Sequence, residues 1–215
     1  MKTNPTQKPE FTERMKKLLS PSDYEKFEEI LKIFPIKSLR VNTLKISPEN
    51  LKKRLEEKNW KITQIWPKHP EVMVVEGKFS DNNLIDLEPG ELGRALEHLL
   101  GYYYIQELAS MLPVIALEPK LGEMILDLCA SPGSKTTQIA SCMQNTGTIL
   151  ANEISYSRIK ILASNLERCG VTNTIITKKE GVALCIRLKK SGILFDRILI
   201  DAPCSGEGTL RSTPK

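Results

Sequence analysis

Histidine is scarce, with two residues in 215, and the five cysteines (Cys129, Cys142, Cys169, Cys185 and Cys204) form no Cys-x-x-Cys pair. That spacing argues against a zinc centre or a disulfide framework, so no metal is expected. Long apolar runs are also missing. The longest, Met111–Leu117, is interrupted by Pro113 and falls far short of the roughly 20 residues that span a bilayer. Met1 to Glu10 is polar and lacks the apolar region of a secretory signal. A cytoplasmic location without a membrane partner is therefore expected. Two nucleotide signatures are absent as well: the chain has neither the Gly-x-Gly-x-x-Gly turn of dinucleotide enzymes nor the Gly-x4-Gly-Lys of a P-loop.

Apolar residues make up 40% of the chain, enough for a core. Charge is unevenly spread. Residues 1–68 carry 16 Lys/Arg against 9 Asp/Glu, a net of +7, and the other 147 carry 15 against 17, a net of −2. A basic first third beside a nearly neutral remainder suggests an anionic partner, nucleic acid before membrane.

Residues 124–140 organise the rest. The apolar run Met124–Leu128 is broken by Ser131, Pro132 and Gly133, and an amphipathic segment follows. This pattern predicts a buried parallel strand, a tight turn and a helix start, the opening unit of an α/β fold. Ligands of such folds bind beyond the carboxyl ends of the strands, an edge that Asp127 and Cys129 to Lys135 would occupy. Thr148–Asn152 reads as the next strand, followed by Glu153, an acid suitably placed for ribose hydroxyls. Ile154–Cys169 has helical spacing and ends at Gly170. Thr174–Thr177 is a third strand with Glu180 just beyond it, and Asp196–Ile200 is a fourth, leading into Asp201, Pro203 and Cys204.

The preceding residues suggest a small α+β lobe. Phe11–Leu19 and Tyr24–Ile33 read as helices, the second opened by a Ser22/Glu25 capping box. Ser38–Leu44 alternates like a strand, with Leu39, Val41 and Thr43 on one side. Arg40 and Asn42 fall on the other, where phosphate or base contacts with a nucleic acid are expected. Ser47 and Pro48 start another helix, and Lys61–Ile65 and Val72–Val75 are strand candidates. Of the three tyrosines Tyr102–Tyr104, most are expected in the core. A domain boundary is placed at 100/101, giving 1–100 as the RNA-binding lobe and 101–215 as the α/β domain.

A thiol beside an acid at a strand end is a candidate for covalent chemistry. Cytosine C5 is a poor nucleophile, and addition of a thiolate at C6 makes it able to accept a methyl group. The reaction then needs a polar partner for the base and a group that removes the C5 proton. Cys204, with Asp201 and Lys135, is the catalytic candidate set. On the ordered motifs Arg40-Val41-Asn42-Thr43-Leu44, Tyr104-Ile105-Gln106-Glu107, Asp127 to Thr136, Asn152-Glu153 with Arg158, and Asp201 to Gly206, the chain resembles the Sun-type RNA cytosine-5 methyltransferases. The resemblance implies a Rossmann-like methyltransferase domain, S-adenosylmethionine as cofactor, and RNA as partner, with tRNA slightly ahead of rRNA.

It also implies that Cys129, Ala130, Ser131, Pro132, Gly133, Ser134 and Lys135 wrap the cofactor's methionine end. Glu153 with Arg158 would serve the ribose, Glu180 the adenine, and Asp201 would lie between cofactor and cytosine. Cys204 matches the cysteine assigned to product release. The family's attacking cysteine sits in a Thr-Cys pair after a further strand, which this chain does not contain. An incomplete parallel sheet of order 3-2-1-4 and an incomplete enzyme are therefore expected, with a second polypeptide as one source of the remainder. The alternative is a non-catalytic RNA-binding protein that retains the cofactor pocket.

Overall fold

The computed structural model describes residues 9–33 and 35–204. It divides into two compact units, one of residues 1–36 with 203–215 and one of 37–202. In the smaller, α1 (Pro9–Leu18) and α2 (Pro21–Leu31) are joined by a tight turn. The Phe27 ring lies 6.2 Å from Phe11 and 6.3 Å from Tyr24. The cap of α2 is Ser20, not Ser22: its hydroxyl accepts from the Asp23 amide and donates to the Asp23 carboxylate. Pro21 explains the shift, because its fixed φ and missing N–H suit the first helical position and place the cap at Ser20, two residues before Ser22.

The larger unit opens with an antiparallel sheet. Its elements are β1 (Ser38–Val41), α3 (Pro48–Glu56), β2 (Trp60–Gln64), β3 (Val72–Ser80), β4 (Asn83–Ile85), the short α4 (Glu91–Arg94) and α5 (Leu96–Leu99), and β5 (Tyr103–Ile105). The strands run β2-β3-β1-β5, with β4 against β3. Ser47 caps α3 by accepting from the Asn50 amide, and Leu51 and Leu55 bury the helix against Leu39, Val41, Ile62, Met73, Val75 and Tyr103. Because β5 pairs with β1, this sheet extends past the expected 100/101 boundary.

A parallel sheet follows, built from α6 (Leu108–Leu117), β6 (Met124–Asp127), α7 (Ser134–Cys142), β7 (Thr148–Asn152), α8 (Tyr156–Cys169), β8 (Thr174–Thr177), α9 (Gly181–Lys190) and β9 (Arg197–Leu199). The order β8-β7-β6-β9 is the 3-2-1-4 expected from sequence. Alternate residues along a strand face opposite sides of a sheet. Ile125, Ile149 and Leu199 pack with Val114 of α6, Ile139 of α7 and Met143 just after it, while Ala151 packs with Leu162 and Leu166 of α8. By this alternation α6, α7 and α8 cover one face. The register row Leu126–Leu150–Ile175, with Ile198 beside Leu126, faces the other way.

The two sheets meet along a polar seam. Arg40 of β1, 1% exposed, donates Nη1 to Gln106 Oε1 (2.6 Å), Ser134 O (2.6 Å) and Gln138 Oε1 (3.3 Å), and Nη2 to Thr137 Oγ1 (2.7 Å). Asn42, 2% exposed, donates to Gly101 O and Cys169 O and accepts from Ser141 Oγ. Lys45 donates to Arg168 O at the carboxyl end of α8, where a cation suits the helix dipole. Contact at the seam is close: a Cβ on Gly101 (φ +72°) would stand 1.9 Å from Arg168 O.

The expected RNA contacts of Arg40 and Asn42 are therefore corrected. The alternation of β1 was read properly, but its polar side faces the neighbouring lobe and lies buried. A peptide carbonyl and a side-chain amide satisfy the same donors that a phosphate would.

Candidate active site

The carboxyl ends of β6, β7 and β8 and the segment after β9 bring most of the candidate residues to one edge. Asp127 ends β6 with 1% exposure, and its Oδ2 accepts from Thr136 Oγ1 at 2.7 Å. Burial pushes this carboxyl up to about 6, while the Thr136 hydroxyl and the Lys135 charge pull it back in part. The turn that follows is closed by Gly133 N donating to Ala130 O (2.8 Å) and tied to β7 by Ala130 N donating to Asn152 O (2.9 Å). Gly133 precedes α7 at φ +104°, and a Cβ there would lie 3.0 Å from Leu162 Cδ1. The left-handed backbone favours glycine, and any larger residue would also press on the Leu162 side chain.

Glu153 follows β7 at 5% exposure. One of its oxygens accepts from the Ser155 amide (2.8 Å) and the other lies 3.3 Å from Arg158 Nε. Arg158 also donates to Ser131 O (2.6 Å), and Ser131 Oγ donates to Arg158 O (2.9 Å). The acid beside β7 is thereby locked to the turn after β6.

Lys135, in the first turn of α7, donates to Asp201 Oδ2 at 2.7 Å and to Ser110 Oγ at 3.3 Å. Its side chain is mostly buried, whereas that of Asp201 is open at 56%. A buried ammonium thus meets a carboxylate that faces outward. The thiol of Cys129 is pushed up by burial and by the carboxyl groups of Asp127, Glu153 and Asp201, which disfavours the thiolate and leaves this cysteine a packing and backbone role. Glu180 is exposed and caps α9, accepting from the amides of Val182 and Ala183. Those two bonds hold its pKa below the usual range and take up one acceptor site on each oxygen. Cys204 is exposed and, with Pro203, belongs to the smaller unit. Ser205 and Gly206 lie outside the described residues.

Ser110 escaped the sequence reading, and Asn152, noted there only as part of a motif, was given no role of its own. Ser110 holds Lys135 from α6, and no local pattern marked it. Asn152 ties three strand ends together: its Nδ2 donates to Leu128 O (3.1 Å) and Lys179 O (3.0 Å), and its Oδ1 accepts from Thr177 Oγ1 (3.0 Å) and Lys179 N (3.1 Å). An asparagine at the last position of an otherwise apolar strand was the available signal.

A parallel sheet in this order, with a glycine turn opening α7 and an acid after the second strand, is the Rossmann-like arrangement of S-adenosylmethionine-dependent methyltransferase domains, the class to which the matches below assign it. Two family profiles match: the N-terminal domain of 16S rRNA methyltransferase RsmF over residues 8–108, and 16S rRNA methyltransferase RsmB/F over residues 114–215. The chain belongs to the Sun-type family of RNA cytosine-5 methyltransferases.

Ribosomal RNA small subunit methyltransferase F of Erwinia tasmaniensis is 44% identical over 207 residues, covering 94% of this chain and 41% of that protein. The protein of the same name from Vibrio cholerae is 44% identical over 184 residues, covering 83% and 36%. The chain thus spans about two-fifths of the length of the curated relatives it matches. Among solved structures, a methyltransferase homolog protein from Pyrococcus horikoshii is 30% identical with TM-score 0.71, covering 96% of this chain and 67% of that one. NSun6 from the same organism, solved with SFG, is 26% identical with TM-score 0.76, covering 92% and 71%.

Proposed function

We propose that this chain is the cofactor-binding and RNA-facing part of an enzyme that methylates cytosine C5 in small-subunit ribosomal RNA. The Lys135–Asp201 pair, 2.7 Å apart at the edge formed by β6 and β9, is the observation that carries the reading. The relatives' names favour rRNA over the tRNA expected from sequence.

The residues at this edge suit S-adenosylmethionine, which carries a sulfonium, an ammonium, a carboxylate and ribose hydroxyls. Three carboxyl groups (Asp127, Glu153, Asp201) against two cations (Lys135, Arg158) favour a cationic ligand. The amides that open α7 suit its carboxylate, and Glu153, fixed by Ser155 and Arg158, is oriented for hydroxyls. When bound, the cofactor supplies an electrophilic methyl group. Asp201 accepts from the polar edge of the cytosine, and Lys135 orients Asp201 and adds positive charge where the ring becomes electron-rich. Release of product needs a base to take the C5 proton and the C6–S electron pair to return to sulfur. Cys204, three residues beyond Asp201, serves that release.

Exposed apolar residues on β9 and just past it, Ile198 (52%) and Ile200 (61%), suit coverage by further chain of the same gene product or of a second polypeptide. The test is methyl transfer from labelled S-adenosylmethionine to unmodified small-subunit rRNA by the full-length gene product. Label is expected at cytosine C5, with losses of at least about 100-fold in Lys135→Ala and Asp201→Ala. Label elsewhere, or none, removes the proposal. The 215-residue chain alone is expected to bind cofactor with little turnover.

A further inference from the structure

Arg40 is a fully buried cation whose hydrogen-bond partners are all neutral. Removing a guanidinium from water without a carboxylate partner is costly, and burial pulls its pKa down to about 10, so it remains charged at neutral pH. The Tyr104 ring lies 5.6 Å from its guanidinium carbon, a favourable but modest compensation. A leucine or methionine could fill such a seam at lower cost. What the arginine adds is geometry: four acceptors, three on α7 and one on the link between β5 and α6, are reached from one planar group.

Those acceptors are informative. Ser134 O, Thr137 Oγ1 and Gln138 Oε1 belong to the first turns of α7, and Ser134 immediately precedes Lys135. Gln106, the remaining acceptor, donates its Nε2 to Ser110 O (3.0 Å), and Ser110 Oγ is the second partner of Lys135. Arg40 therefore supports both anchors of the Lys135 ammonium, its own backbone and Ser110. Asn42, two residues on, holds Ser141 at the far end of α7 and Cys169 O on α8. Among the described residues it makes no hydrogen bond to the first turn of α7.

Building on the function proposed above, we propose that Arg40 is a positioning residue of the methyltransferase site: supplied by the N-terminal lobe, it sets the opening turn of α7 and hence the cofactor-binding turn and the Lys135–Asp201 pair. Cofactor binding by the parallel-sheet lobe then depends on a side chain of the antiparallel one.

The experiment compares wild type, Arg40→Met, Arg40→Lys and Asn42→Ala in the 215-residue chain. Readouts are thermal stability, S-adenosylhomocysteine affinity by calorimetry, and amide hydrogen exchange of residues 129–137. Arg40→Met is expected to weaken binding roughly ten- to a hundredfold and to speed exchange in 129–137 at temperatures where the protein is folded. Arg40→Lys keeps the charge but not the fork, and is expected to recover stability more than affinity. Asn42→Ala is expected to lower stability with affinity within about twofold of wild type. Equal affinity loss in Arg40→Met and Asn42→Ala, or unchanged affinity in folded Arg40→Met, overturns the positioning role. If Arg40→Met does not fold, an affinity for Arg40→Lys equal to wild type overturns it. Failure of wild type itself to bind the cofactor product removes the functional reading instead.

Discussion

The two faces of the parallel sheet carry similar residues and meet different fates. On the face under α6, α7 and α8, Ile125, Ile149 and Ala151 are wholly buried. In the opposite row Leu126 is buried at 2%, but exposure rises to 57% at Ile175 on one flank and 52% at Ile198 on the other. α9, which follows β8, comes close to Leu128 at Gly181. Parallel strands bury both faces when helices cover both. The contrast shows that apolarity in a strand records which faces are built to be covered, whereas stability in this chain comes from the face that is covered.

The sharpest break of that contrast is Ile125→Ala, which empties a filled site on the covered face. It is expected to cost about 2–5 kcal/mol, measured by urea unfolding. A weaker effect is expected from Asp127→Asn, which keeps an acceptor for Thr136 and removes the buried charge. Because the folded-state pKa of Asp127 is raised to about 6, its folded form binds a proton that the unfolded chain has already released above the ordinary carboxylate pKa. Stability from this group is therefore fully present below pH 4 and is lost as pH rises towards 6. The stability of Asp127→Asn relative to wild type is expected to rise by about 3 kcal/mol between pH 4 and 7 and then level off, with unfolding measured across pH as the check. An offset that does not change with pH would mean that Asp127 is not held protonated by burial. The smallest effect belongs to Ile198→Thr on the open face, expected to change the stability of this chain by no more than about 0.5 kcal/mol. A loss as large as that of Ile125→Ala would show that the two faces are equally buried in solution.

Much of the second lobe was legible because its signals are local. Thr148–Asn152 and Thr174–Thr177 appear with the bounds expected, and Gly170 ends α8 in the left-handed conformation (φ +72°). The turn at 131–133 and the place of Asp201 beside Lys135 followed from strand ends converging on one edge. The first lobe was less legible. β4 and β5 are three residues each, too short for alternation to register, and α4 and α5 are single turns. Arg40 and Asn42 were misread for a different reason. Period-2 alternation separates two faces of a strand but does not say whether the polar one meets water or another lobe. Glu180 likewise carries two meanings in sequence, an acid past a strand and a helix cap, and the structure shows its carboxylate in the second role.

The chain returns at Tyr103–Ile105 to complete the first sheet, and α6 begins three residues later, with Gln106 of the polar seam in between. No free tether therefore separates the lobes, and their modularity is more apparent in the order of motifs than in the packed protein. Exchange of the N-terminal lobe among relatives is constrained by this economy of chain: a donor lobe must meet, in the recipient, a helix whose opening turn accepts its arginine.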